Sequence, residues 1–122
     1  MMKKDQHQHL RKPEIKRVGM VIKLKPECVT RYMELHADSN PGVRALLSKY
    51  HLSNFSIFLQ KIGNEYYEFG YYEYRGLSLE EDLANLAGEQ QNIEWLQQCD
   101  PMQIPLDGAR SWTEMQQIYY NE

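Results

Sequence analysis

RVGMVIKLKPECVTRYMELHA, residues 17–37, decides the fold. Its first half alternates. Val18, Met20, Ile22 and Leu24 fall on one face, with Arg17, Lys23 and Lys25 among the residues on the other, which is the period of a half-buried strand. Pro26 then suits the first turn of a helix, where its fixed φ and missing N–H are tolerated. Beyond it Val29, Tyr32, Met33 and His36 recur at i, i+3, i+4 and i+7, predicting an apolar helical stripe that carries His36.

Working outward, Asn40-Pro41-Gly42 breaks the helix, because the residue before a proline is pushed out of the α region. Val43, Leu46, Leu47 and Tyr50 mark a second helical stripe. Phe55, Ile57 and Leu59 alternate, Gly63-Asn64 supplies a turn, and residues 66–75 are dense in aromatics, so a long β-hairpin is expected. Ser78 is a candidate N-cap with Glu81 three residues on, opening a helix with Leu79, Leu83, Leu86 and Ala87. Gly88 interrupts it before a second piece over residues 93–99. After the proline-marked loop DPMQIPLDG, residues 112–120 predict a closing strand.

The order β-α-β-β-α-β predicts an α+β, ferredoxin-like fold: a four-stranded antiparallel sheet with helices on one face. The strands offer apolar side chains to both faces. A second copy is therefore expected on the open face, giving a homodimer of the dimeric α/β-barrel type.

Composition bounds the rest. A chain of 122 residues is the usual size of one domain. Residues 1–15 are polar and without period, reading as a disordered tail, and residues 16–122 as a single domain. His7 and His9 in the tail could hold a metal loosely, but a solvated tail is the favoured reading. Cys28 and Cys99 are too few for a disulfide scaffold and lack zinc-ligand spacing, so a reducing compartment is the default. With no long apolar run, neither signal peptide nor membrane span is expected, which points to a cytoplasmic protein. A formal net charge of -3 argues against nucleic acid as a partner. Nine Tyr, two Trp and three Phe offer flat faces with polar tips, which suit interfaces and carbohydrate pockets alike.

His36 is the one histidine on an apolar stripe, one turn after Tyr32, so imidazole and phenol share a face. An imidazole can give or take protons at cellular pH. Taken alone, though, His36 is better read as a hydrogen-bonded histidine near a helix C-terminus. Trp95 could close a core or wall a sugar pocket. Glu34, His36 and Asp38 do not make a metal site, because residues two apart on a helix do not face each other. Cys28 has no evident base beside it, so an inert thiol is the favoured reading. No GxGxxG or P-loop is present, and no dinucleotide or nucleoside triphosphate is expected.

Several segments in order carry a family resemblance: RVGMVIKLKPE, YMELHA with its Tyr-x-x-x-His, Pro41, NFSIFL, EWLQQCDPMQIPL and WTEMQQIYY. On these, the chain from about Lys16 to Tyr120 resembles the L-rhamnose mutarotases. The resemblance implies a ferredoxin-like dimer, without cofactor or metal, that interconverts the α and β anomers of a free monosaccharide. It implies that His36 is the general acid, with Tyr32, Asn54, Phe55, Trp95 and Leu96 at the substrate positions. Three positions depart from the family pattern. Phe55 stands where a tyrosine is usual, Leu96 where a second tryptophan is, and Asn40 precedes Pro41 in place of tryptophan. Two other classes fit the same architecture: a cofactor-free monooxygenase, and a non-catalytic sugar-binding module.

Overall fold

The computed structural model describes residues 14–122. The tail expected over residues 1–15, with His7 and His9, lies outside the described residues except for Glu14 and Ile15, which carry no regular structure. Strand β1 (Lys16–Leu24) leads through a 3-10 turn (Pro26–Cys28) into helix α1 (Val29–Leu35), followed by α2 (Arg44–Lys49). The hairpin β2 (Leu52–Ile62) and β3 (Glu65–Tyr74) comes next, then α3 (Leu79–Ala87) and α4 (Gln90–Cys99). A second 3-10 turn (Asp100–Met102) precedes the short strands β4 (Gln103–Ile104) and β5 (Thr113–Met115).

The sheet runs β2-β3-β1-β4, every neighbour antiparallel, with β5 also paired to β1. This is the α+β, ferredoxin-like arrangement expected from the element order. Its fourth strand position is divided. β4 pairs with Lys23 and Leu24, β5 with Gly19, Met20 and Val21, and the chain loops away between them. The single closing strand expected over residues 112–120 is therefore corrected to three residues there, and residues 116–122 have no regular structure. Two features account for the break. Pro105 cannot donate to a ladder, and Gly108, at φ 83°, turns the chain in a conformation open mainly to glycine.

Period-two patterning in β1 and β3 sets the two faces of the sheet. Val18, Ile22 and Leu24 are buried on the helix side, opposite Tyr72, Glu68 and Tyr66 in register. Val18, Leu52, Tyr72 and Tyr74 pack against Val43 and Leu46 of the α2 segment and Leu86 of α3. Leu24 packs with Tyr32 and Leu35 of α1 and Cys99 of α4. Ser78 caps α3 by accepting a hydrogen bond from the Glu81 N–H at 3.3 Å. At the hairpin tip, Ile62 pairs with Glu65 across Gly63-Asn64, with Gly63 at φ 64°.

The stripe expected on α1 is corrected at one position. Met33 is 60% exposed, and the inward residues are Tyr32 and Leu35. The helix has only seven residues, so its inward face is one narrow strip. His36 is its C-cap residue, outside the regular turns. No helix is long and apolar enough to cross a membrane among the described residues.

Candidate functional site

The open space between the sheet and the helices is a cavity of about 930 Å³, within the size range of small-molecule sites. Tyr32, His36, Asn54, Phe55, Trp95 and Leu96 all line it. Four elements deliver them. Tyr32 and His36 come from the last turn and cap of α1, Asn54 and Phe55 from β2, and Trp95 and Leu96 from α4.

The His36 imidazole is the hub. Its ring stacks on Tyr32, with centroids 4.2 Å apart, and meets Trp95 edge-on at 5.1 Å. Its Nδ1 lies 2.8 Å from the Tyr32 carbonyl oxygen. A carbonyl only accepts, so Nδ1 carries the hydrogen, and in the neutral ring Nε2 is the basic nitrogen. Burial pushes the His36 pKa down, opposed by the Tyr32 carbonyl and aided by the Arg44 charge. Arg44 Nη2 donates to the His36 and Ala37 carbonyls at 3.1 and 3.0 Å, closing the end of α1 that presents the ring.

Tyr32 is 6% exposed, and its hydroxyl accepts a hydrogen bond from Gln103 Nε2 at 3.0 Å. Burial first, then the neighbouring Glu68, pushes its pKa far above the ordinary value, so it remains a neutral phenol. The phenol keeps both a donor and an acceptor function.

Phe55 reaches the cavity because β2 carries a bulge. Between Ser53, opposite Glu73, and Ser56, opposite Tyr71, the strand holds one residue more than its partner, and Asn54 takes φ 52°. The extra residue inverts the alternation, so Leu52 and Phe55, three apart, both face inward. Phe55 stacks on Tyr72 at 5.3 Å. The Asn54 amide donates to Glu73 Oε1 at 3.0 Å, which holds the bulge against β3.

Glycines make the space. Gly42, at φ 51°, would put a Cβ 3.2 Å from the Trp95 ring. A Cβ on Gly70 would stand 2.9 Å from Met20 and 3.3 Å from Trp112, both of which line the cavity. A smaller cleft of about 390 Å³ lies beside Trp95, lined by Arg31, Gln91 and Gln98, without the histidine.

Three wall residues were not anticipated as site residues, Asn92, Gln103 and Trp112, nor was Glu68, which stands behind the wall. Asn92 is 7% exposed and lines the cavity. It occupies the inward stripe 92, 95, 96, 99 of α4, where a polar residue in an apolar pattern is the signal that marks it. Glu68 has the same kind of signal in period two, alternating inward with Gly70, Tyr72 and Tyr74. It is 1% exposed. Gln103 and Trp112 lie in or beside a broken strand, where no periodicity points to them.

Among the described residues no group of three or more His, Cys, Asp and Glu is placed to hold a metal ion. Cys28 and Cys99 are both free thiols. Cys99 is buried and its pKa is pushed up to about 12, so it is an inert wall residue.

With this geometry in view, comparison with known proteins is informative. No curated protein matches the chain. Among solved structures, the L-rhamnose mutarotase of Formosa agariphila has the same fold, with a TM-score of 0.67 at 20% identity, over 88% of this chain and 99% of that one. A sequence model of the L-rhamnose mutarotases matches residues 17–121, which spans β1 to β5 save the first residue of β1. The protein therefore belongs to the L-rhamnose mutarotase family.

Proposed function

We propose that the protein is an isomerase that interconverts the α and β anomers of L-rhamnose or a related deoxy sugar by acid/base-catalysed ring opening. The observation that carries this reading is the His36 ring, stacked on Tyr32, edge-on to Trp95 and lining a cavity with room for a monosaccharide. Ring opening needs a proton delivered to the ring oxygen and another removed from the anomeric hydroxyl. Rotation about the bond beside the carbonyl and reclosure then give the other anomer. A single well-placed imidazole is suited to the delivery.

In this mechanism His36, protonated at Nε2, gives its proton to the ring oxygen. The bond of Nδ1 to the Tyr32 carbonyl fixes the ring plane meanwhile. Burial makes the imidazolium a stronger acid than free histidine. The Tyr32 hydroxyl holds a sugar hydroxyl, Trp95 and Phe55 pack the apolar face of the ring, and Asn54 and Leu96 complete the rim. No metal or cofactor takes part in these steps.

A homodimer is part of the proposal. On the strand face away from the helices, Phe58 is 65% exposed and its cross-strand partner Phe69 is half-buried. A second copy would cover such a surface. Two unpaired cysteines fit a cytoplasmic setting.

Anomeric exchange measured by NMR, with L-rhamnose, L-fucose and common hexoses, tests the reading. Faster exchange for one sugar with catalytic amounts of protein is the expected result and names the substrate. Saturation transfer without faster exchange would replace the enzyme with a binding module.

A further inference from the structure

The mechanism above leaves one proton without a destination. The anomeric hydroxyl must lose it as the ring opens, and a single histidine acting as acid does not take it up. One layer behind the cavity wall stands a group that this mechanism does not use. Glu68, in the middle of β3 and opposite Ile22 of β1, is 1% exposed. Neither of its carboxyl oxygens has a hydrogen-bond partner among the described residues. A carboxyl buried without a partner is costly, and its presence calls for a reason.

Its surroundings supply one. The groups facing it from neighbouring elements are the Tyr32 hydroxyl on α1, the Gln103 amide on β4 and the Cys99 thiol on α4. Tyr32, Gln103 and Cys99 all line the cavity, so Glu68 touches the site through its wall. No salt bridge reaches it among the described residues. Cys99 stays protonated and does not compete for the proton.

We infer that Glu68 is the positioning residue that completes acid/base work in this cavity, taking up and returning the anomeric proton through the Tyr32 hydroxyl. The inference rests on the mutarotase reading. The step balances as follows. The bond between the anomeric carbon and the ring oxygen breaks, and its electron pair goes to the ring oxygen, which receives the proton from His36 Nε2. The anomeric O–H bond breaks and its electrons form the carbonyl. That proton passes to the Tyr32 oxygen while the Tyr32 proton passes to the Glu68 carboxylate. Reclosure on the other face returns both protons, leaving His36 charged and Glu68 ionised as before.

The Gln103 amide already donates to the Tyr32 oxygen, at 3.0 Å. If Tyr32 donates its hydrogen to Glu68, its remaining lone pair is directed to accept from the sugar. A protonated Glu68 removes that acceptor for the hydrogen and leaves the phenol to act as a donor towards the sugar. Burial pushes the Glu68 pKa up to about 7, which suits a group that must exchange a proton near neutrality.

The test is the pH profile of the NMR exchange rate for wild type, Glu68→Gln and Tyr32→Phe. Wild type should give a bell, because the reactive state carries one proton between His36 and Glu68. Glu68→Gln should lower the optimum roughly 10- to 100-fold and remove the acid limb, since no carboxylate then has to be ionised. Tyr32→Phe keeps the carboxyl but cuts the relay, so it should also lose the acid limb, and the double variant should be no slower than the worse single one. Circular dichroism establishes that each variant is folded. A bell retained in folded Tyr32→Phe overturns the relay while leaving the mutarotase reading intact. Absence of acceleration by wild type overturns the mutarotase reading and the relay with it.

Discussion

The Tyr32 phenol lies over the His36 imidazole with ring centroids 4.2 Å apart and planes 23° from parallel, while the Tyr32 carbonyl holds His36 Nδ1 at 2.8 Å. One residue thus fixes the histidine twice, once through its side chain and once through its backbone. The i, i+4 spacing at the end of a helix makes this possible, because the Tyr32 carbonyl in the last turn accepts from both the His36 backbone N–H, at 3.2 Å, and its ring Nδ1–H. The tautomer, the ring plane and the direction of Nε2 all follow from that spacing.

Replacing His36 by Gln should reduce catalysed anomer exchange by roughly 100-fold or more, the range expected for loss of a positioned acid or base. Gln keeps a polar end of similar reach but cannot carry the proton. Exchange NMR on a variant with unchanged circular dichroism checks this. Full activity would return His36 to the role of a structural helix cap.

Glu68 ties stability to pH. Its folded pKa, about 7, lies above the ordinary carboxylate value of 4.5, so the folded state binds the proton more tightly than the unfolded chain. Stability from this group is therefore greatest below about pH 4.5, declines as pH rises towards 7, and is fully lost above it. At about 1.4 kcal/mol per pKa unit, the cost at pH 8 is roughly 3 kcal/mol. Glu68→Gln, which removes the charge, should stabilise the protein at pH 8 and lose that advantage by pH 5. Denaturant titrations at the two pH values measure this, and equal effects at both would contradict the account.

How far the sequence foretold this arrangement varies with the element. The βαββαβ order was legible because each element carries its own period and its own stop signal, such as Pro26, Gly63 and Ser78. The pairing of Tyr32 with His36 was legible from i, i+4 spacing alone. Met33 was misplaced because a helix of seven residues holds too few turns to fix the phase of its stripe. The broken fourth strand was hidden because two and three residues are too short to show alternation. The bulge at Asn54 leaves a trace only in the odd spacing of Leu52 and Phe55, which becomes meaningful once both are known to face inward. Glu68 lay in plain sight on an inward face, but a lone carboxylate among aromatics does not disclose which wall it stands behind.

Phe55→Tyr restores the phenol usual at this place in the family, on a ring already stacked against Tyr72 in the cavity wall. A new hydrogen bond to the sugar should lower KM roughly 2- to 10-fold, the yield of about 0.5–1.5 kcal/mol for one neutral bond. The exchange rate at saturation should change little, because the hydroxyl serves the ground state and the transition state alike. Saturation curves from exchange NMR separate the two. A fall in kcat with unchanged KM would place Phe55 away from the bound sugar.

Gly42→Ala tests how the loop after α1 sets the position of Trp95. The glycine adopts φ 51°, where an alanine is strained, and the added Cβ would stand 3.2 Å from the Trp95 ring. Backbone strain alone should cost about 1–2 kcal/mol, read as a lower denaturation midpoint. The contact should also displace the indole, which meets His36 edge-on at 5.1 Å and walls the cavity. KM should therefore rise and Trp fluorescence shift. Lost stability with unchanged KM and fluorescence would show that the loop yields instead of the ring, and Trp95 would then be held by α4 alone.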